Sequence, residues 1–251
     1  MAFFCLFFHS LKHSDNPGNV ILTYISGLFL MLKLRSIVKS FHDGESDLHV
    51  LRGINLDLEA GESLALLGAS GNGKSTLLQI AGGLENPDSG EVFILDRSLA
   101  KQNEHELAIL RRRHLGFVFQ QFNLLPGLDV SDNLLFQRRL NRLCDRDAWT
   151  DEITDTLGLG PLLSRPVEVL SSGQQQRVAI ARALAHKPQV LFADEPTGNL
   201  HDSLSRQVMK LMIRLVAESA CSLLLVTHNQ EMASFTNRRL LLEEGHLQEL
   251  G

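Results

Sequence analysis

The chain of 251 residues is poor in cysteine, and the three it has, Cys5, Cys144 and Cys221, are odd in number and show no CxxC spacing. That argues against both a disulfide framework and a zinc site, and it fits a reducing cytosol. Basic residues are outnumbered by acidic ones, 24 to 29, and no Lys/Arg block is long enough to serve as a nucleic-acid arm. With a net charge of −5, nucleic acid is not an expected partner. Long apolar runs are missing as well. MAFFCLFFHS and VILTYISGLFLML, near the start, are separated by LKHSDNPGN, and neither approaches the roughly 20 residues of a spanning helix. The start also lacks the basic residues of a secretory signal. Internal repeats and low-complexity linkers are absent from the sequence.

What is there reads as one globular domain. MLKLRSIVKSF, from Met31, has the pattern of a first strand, so residues 1–30 are expected to be a non-native or disordered extension and Met31 the start of the folded unit. An intact mass corresponding to the full chain would overturn that expectation. A second strand-like run, HVLRGINLDLEAG, ends at Gly61. SLALLG is continuously apolar, as in a parallel strand covered on both faces, and is followed by a glycine-rich turn and a helix from Ser75 to Ala81. EVFILD and LGFVF read as further strands, with an Arg-rich helix over 104–113 between them. Residues of about 123–184 are mainly helical, punctuated by Pro126, Pro161 and Pro166. VLFAD and LLLVT follow as apolar strands separated by a helix over Ser205–Ser219, and the end suits a hairpin turning at Glu244 and Gly245.

Two motifs carry chemistry. In GASGNGKST, Gly68, Gly71 and Gly73 let consecutive backbone N–H groups fold around phosphate oxygens, and the following helix directs its N-terminal partial charge at the same anion. Lys74 is set to reach the β and γ phosphates and Ser75 to ligate Mg²⁺, with Ser70 and Thr76 completing the loop's contacts to ATP. VLFADEP brings Asp194 and Glu195 out at the carboxyl end of a buried strand, where ligands bind in open α/β sheets. Asp194 suits Mg²⁺ as a hard oxygen ligand, and Glu195 suits a water-polarising base. Taken without the upstream loop, two acids there read as a solvated turn.

With LSSGQQQRVAIARAL at Leu170–Leu184 added, the region from Leu32 to Gly251 resembles the ABC transporter ATP-binding subunits, an α/β P-loop NTPase fold with an N-terminal antiparallel β subdomain and a helical subdomain inserted between the two nucleotide motifs. The resemblance implies that LSSGQ is the family signature, with Ser171, Gly173 and Gln174 facing the γ-phosphate held by another protomer, so that two copies sandwich two ATPs head to tail. Ser171 and Gly173 are read as lying just before a helix N-terminus, which favours an anion. It further implies that Gln120 senses Mg²⁺ and the attacking water, that His228 contacts the γ-phosphate, and that Phe41 stacks on adenine.

Three departures stand out. Ser172 replaces a signature glycine and would be strained if that position needs φ > 0. His201 stands where an aspartate is usual, with Asp202 one place late, and Asn229 follows His228 where aspartate is common. Hydrolysis is still expected, since Lys74, Asp194, Glu195 and His228 are intact.

The wording GFVFQQFNLLP and LFADEPTGNL is most similar to the lipoprotein-releasing, YbbA-type and macrolide-exporter group. That implies a subunit peripheral to the cytoplasmic face of the inner membrane, energising separate transmembrane permease chains, with Phe122, Leu124 and Leu125 beside the groove that receives them. Related heads serve membrane complexes of cell division that move nothing, and ATPases acting on nucleic acid or ribosomes. The latter need a long coiled-coil insertion or a second such domain.

Overall fold

The computed structural model describes residues 30–42 and 47–250. The extension read at 1–30 lies outside these residues except for Leu30, which already belongs to the first strand.

Strands β1 (Leu30–His42) and β2 (Asp47–Glu59) pair antiparallel. After β3 (Ser63–Leu67) and helix α1 (Lys74–Ala81), the chain returns as β4 (Ser89–Ile94) and the short β5 (Arg97–Ser98), giving a four-stranded antiparallel sheet of order β2-β1-β4-β5. Helix α2 (Glu104–His114) begins on a capping box in which Asn103 and Glu106 satisfy each other's backbone N–H. It ends in Arg111, Arg112, Arg113 and His114, cations suited to the negative end of the helix dipole.

A second sheet is built on β3. Its order is β10-β9-β3-β8-β7-β6, from β6 (Leu115–Val118), β7 (Val190–Asp194), β8 (Ser222–Val226), β9 (Arg238–Glu243) and β10 (His246–Leu250). All neighbours pair parallel except the edge hairpin β9–β10. That hairpin turns on Glu244 and Gly245, both at positive φ (49° and 78°), as the tight primed turn requires. The continuous apolar runs have two faces to fill. Leu64, Leu66, Phe192, Leu224 and Val226 pack toward the antiparallel sheet and α1. Ala65, Leu67, Leu191, Ala193, Leu223 and Leu225 pack into a second core with the helices. Period-two alternation decides which core each residue joins.

The helical region holds α3 (Val130–Leu140), α4 (Ala148–Thr156) and α5 (Ser172–Leu184), each started by a side-chain cap from Asp129, Asp147 and Ser171. Two large buried polar side chains there are bonded. Asn133, fully buried, holds both the N–H and the carbonyl of Leu125, and Trp149 donates to the Leu184 carbonyl at 3.0 Å. Helix α6 runs over Asp202–Glu218, three residues earlier than the apolar pattern predicted, because Asp202 opens the first turn. A short α7 (Gln230–Ala233) follows β8, capped by Asn229, which accepts from the N–H of Glu231 and Met232.

One buried group ties this core to pH. His186, 6% exposed, donates from Nε2 to the Leu115 carbonyl at 3.1 Å, while its Nδ1 has no partner. Burial pushes its pKa down from 6.5 to about 4, reinforced by Arg138 and His114 and opposed by the Leu115 carbonyl. The folded state therefore refuses a proton that the unfolded chain accepts. Stability from this residue is complete above the unfolded pKa of 6.5 and is lost as pH falls toward 4, by up to about 3 kcal/mol. Denaturation between about pH 7 and 4.5 should show a flatter pH dependence for His186→Gln than for the parent. Equal slopes would refute it.

Candidate functional site

The loop between β3 and α1 needs glycine for two separate reasons. Gly71 and Gly73 are left-handed, at φ 84° and 90°. A Cβ on Gly73 would collide with Cγ1 of Val50, and one on Gly68 would stand 2.6 Å from the Leu242 carbonyl oxygen. The loop is thus wedged between β2 and β9. Gly73→Ala is expected to cost about 1–3 kcal/mol from the backbone alone, lowering Tm by several degrees and weakening nucleotide binding. A thermal melt and a nucleotide titration both matching the parent would refute this.

Lys74, 6% exposed, turns its ammonium back onto the loop, donating to the carbonyls of Gly68 (2.9 Å) and Ala69 (2.8 Å). Next to it, the Ser75 hydroxyl donates to Asp194 Oδ1 at 2.9 Å. Burial raises the Asp194 carboxyl above its ordinary value, Glu195 adds to the rise, and the Ser75 hydrogen bond and the Lys74 charge oppose it. A desolvated carboxylate beside a hydroxyl is a pair of hard oxygens with unmet demand for a cation, so these residues fit Mg²⁺.

Glu195, at the end of β7, is itself left-handed (φ 44°), and its N–H donates to the Val226 carbonyl at 2.9 Å. This places its carboxylate under the loop after β8. Its Oε1 accepts from the backbone N–H of His228 (2.9 Å) and contacts the ring Nδ1 at 2.8 Å, while Oε2 accepts from the Thr227 hydroxyl at 3.3 Å. The Glu195 side chain is 14% exposed and that of His228 65%.

Phe41, Ser70, Gly71, Gly73, Lys74, Ser75, Thr76, Gln120, Glu195 and His228 line one cavity of about 380 Å³. Gly68 and Asp194 join it from below through Lys74 and Ser75. Two lining residues were missed by sequence reasoning, Leu48 and Val50. Their signal was available, since alternate positions on one strand share a face with each other. Thr227 was missed too, and only its place between Val226 and His228 hinted at it.

The signature residues stand apart and do not line this cavity. Ser171 caps α5, exchanging hydrogen bonds with Gln174 at 2.9 and 3.4 Å. Gly173 does not precede the helix as expected but lies within its first turn, because the Ser171 cap starts α5 at Ser172. For the same reason the strain anticipated at Ser172 does not arise, and it is absent from the positive-φ residues. His201 sits at the start of α6 without a side-chain cap bond. Of the three apolar residues after Gln120, Leu125 lines a larger groove of about 530 Å³, whereas Phe122 and Leu124 line a separate pocket of about 370 Å³.

Residues 51–198 match the family model described as ABC transporter. The lipoprotein-releasing system ATP-binding protein LolD of Alcanivorax borkumensis is 41% identical over 222 residues, 88% of this chain and 97% of that protein. LolD of Paramagnetospirillum magneticum is 44% identical, covering 87% and 98%. Among solved structures, a dimeric bacterial ABC transporter cassette superposes with a TM-score of 0.80 at 35% identity, over 88% of this chain and 99% of its own. A dimeric ATP-binding cassette in a post-hydrolysis state bound to ADP and Pi gives 0.79 at 34% identity, with the same coverage. The chain therefore belongs to the ABC transporter family, as an ATP-binding and ATP-hydrolysing cassette subunit of the LolD type.

Proposed function

We propose that this cassette binds Mg–ATP in the cavity around Lys74 and hydrolyses it as one half of a head-to-tail dimer, energising a separate membrane permease of the lipoprotein-releasing kind. The observation that carries this reading is the separation within one chain of the phosphate cavity from Ser171, Gly173 and Gln174 on α5. A capped helix start with exposed Ser171 and Ser172 favours an anion, and a second copy would bring one to it.

Phe41, 44% exposed at the cavity edge with Leu48 and Val50 beside it, offers a ring for the base. On ATP binding, Lys74 exchanges two carbonyls for phosphate oxygens, a stronger charge-assisted contact. Ser75 and Asp194 would hold Mg²⁺, with Gln120 lining the same cavity, and the metal would supply charge neutralisation for the phosphates. Glu195 orients and polarises the attacking water, and His228 reaches the γ-phosphate. The exposed His228 ring rests on Glu195 Oε1 here and swings away from it to reach the γ-phosphate, freeing that oxygen for water.

No described helix is long and apolar enough to cross a membrane. A peripheral position on the cytoplasmic face of the inner membrane follows from the permease reading, and the groove of about 530 Å³ is the place for permease contact. A mild-detergent pull-down from native membranes, with mass spectrometry and an ATPase assay on the same sample, tests the whole. A co-purifying multi-span permease with Mg–ATP turnover is the expected result. Recovery of DNA, ribosomes or no membrane chain would remove the transporter reading and leave the ATPase.

A further inference from the structure

Phe41 stands at the exposed end of β1 on the rim of the cavity around Lys74, and the strand ladder alone does not fix its ring. The ladder slips just before it. Lys39 faces Leu51 across the pair and Ser40 faces His49, so Val50 is left unmatched between them, and a bulge of this kind bends a strand and breaks its regular pairing. Lys39 and Phe41, two positions apart, share a face of β1. The Lys39 ammonium lies over the Phe41 ring, 5.4 Å from its centroid.

That ammonium is itself held. Its Nζ donates to Glu85 Oε1 at 2.7 Å and to the Asn86 carbonyl at 2.8 Å, with Asp88 Oδ1 at 3.5 Å, and the side chain is 12% exposed. The same turn is tied to β1 at two more points. Asp88 Oδ2 accepts from the Ser40 N–H at 2.6 Å, and the Asp88 N–H donates to the Val38 carbonyl at 2.9 Å. Residues 85–88 follow the end of α1, whose first residue is Lys74. One helix thus carries the phosphate loop at its start and, just past its end, the anchor of the charge over Phe41.

We infer that Lys39 is a positioning residue for the nucleotide base, fixing the Phe41 ring by a cation–π contact on one face and leaving the other face for adenine. This rests on the reading of the cavity as the ATP site with Phe41 as its base platform. Lys39 is not a phosphate ligand, because its donors go to acceptors of the 85–88 turn. The cation acts in two ways. It holds the ring in one orientation, and it draws the negative charge of the ring toward itself, so that the far face repels the negative face of a stacked purine less.

Calorimetric titration of the purified full chain with Mg–ATP and, separately, with Mg–tripolyphosphate tests this, since the second ligand has phosphates and no base. Lys39→Met, similar in length and uncharged, should weaken ATP binding about fivefold and leave tripolyphosphate binding unchanged. Lys39→Arg keeps a cation for the ring and for Glu85 and should bind ATP like the parent. Phe41→Leu should weaken ATP binding about tenfold, and Lys39→Met added to it should cost nothing further, because the contact is already gone. Equal losses for both ligands in Lys39→Met would overturn the inference and reduce Lys39 to a brace of the turn after α1. An undiminished ATP affinity, or a further loss on top of Phe41→Leu, would overturn it as well. ATP binding unchanged by Phe41→Leu would overturn the base platform itself, and the role of Lys39 with it. Lys39→Gln, which keeps two donors for the turn but no charge, carries the same expectations and decides if Lys39→Met does not fold.

Discussion

Glu195→Gln should reduce ATP turnover by at least about 100-fold while ATP binding persists, and should accumulate a dimer in Mg–ATP. The substitution preserves shape, so the backbone N–H of His228 still finds an oxygen at the place where it now meets Oε1 at 2.9 Å. Basicity is lost, and the new amide NH₂ faces the Thr227 hydroxyl, which can rotate to accept. The left-handed backbone at Glu195 tolerates glutamine no worse than glutamate, so the fold should be unaffected. Sedimentation in saturating Mg–ATP beside a phosphate-release assay provides the check. A monomeric variant, or one turning over like the parent, would count decisively against the assigned base.

Lys74→Ala should weaken ATP binding by at least about 100-fold, and here the loss lies in affinity instead of turnover. Two effects act together. The triphosphate loses the one cation that the loop supplies from within the cavity, on a side chain only 6% exposed. The free protein suffers as well, because the carbonyls of Gly68 and Ala69 lose their donor, at about 1–3 kcal/mol where water cannot replace it. Titration calorimetry measures the first effect and a thermal melt without nucleotide the second. An ATP affinity like the parent's would contradict the placement of Lys74 against the phosphates.

These residues were legible in the sequence because their chemistry is local. The glycine spacing, the lysine and the serine sit within one turn, and VLFAD announces a buried strand by its apolar run alone. The strand order was not legible, nor was the assignment of Leu64 and Ala65 to opposite cores, because that depends on which layer covers which face. The helical cap at Ser171 is readable from S-x-x-Q, but the seating of Gly173 inside the first turn rests on its close approach to Leu204, a contact between distant positions that no local pattern encodes. Contacts across long separations were beyond reach. Glu195 meets His228 across 33 positions and Arg182 meets Phe122 across 60, and no periodicity encodes either.

The position of β3 at the heart of the parallel sheet has a consequence for the order of assembly during synthesis. β1, β2, β4 and β5 all lie within residues 30–98 and pair only with one another, so that sheet can close while the rest of the chain is still being made. β3 must wait, because its neighbour β8 lies near the other end, with Gly61 and Ser222 bonded across 161 positions. Long-range parallel pairing of this kind is slow. The phosphate loop packs between β2 and β9, so its complete set of packing contacts forms only once β9 has been made.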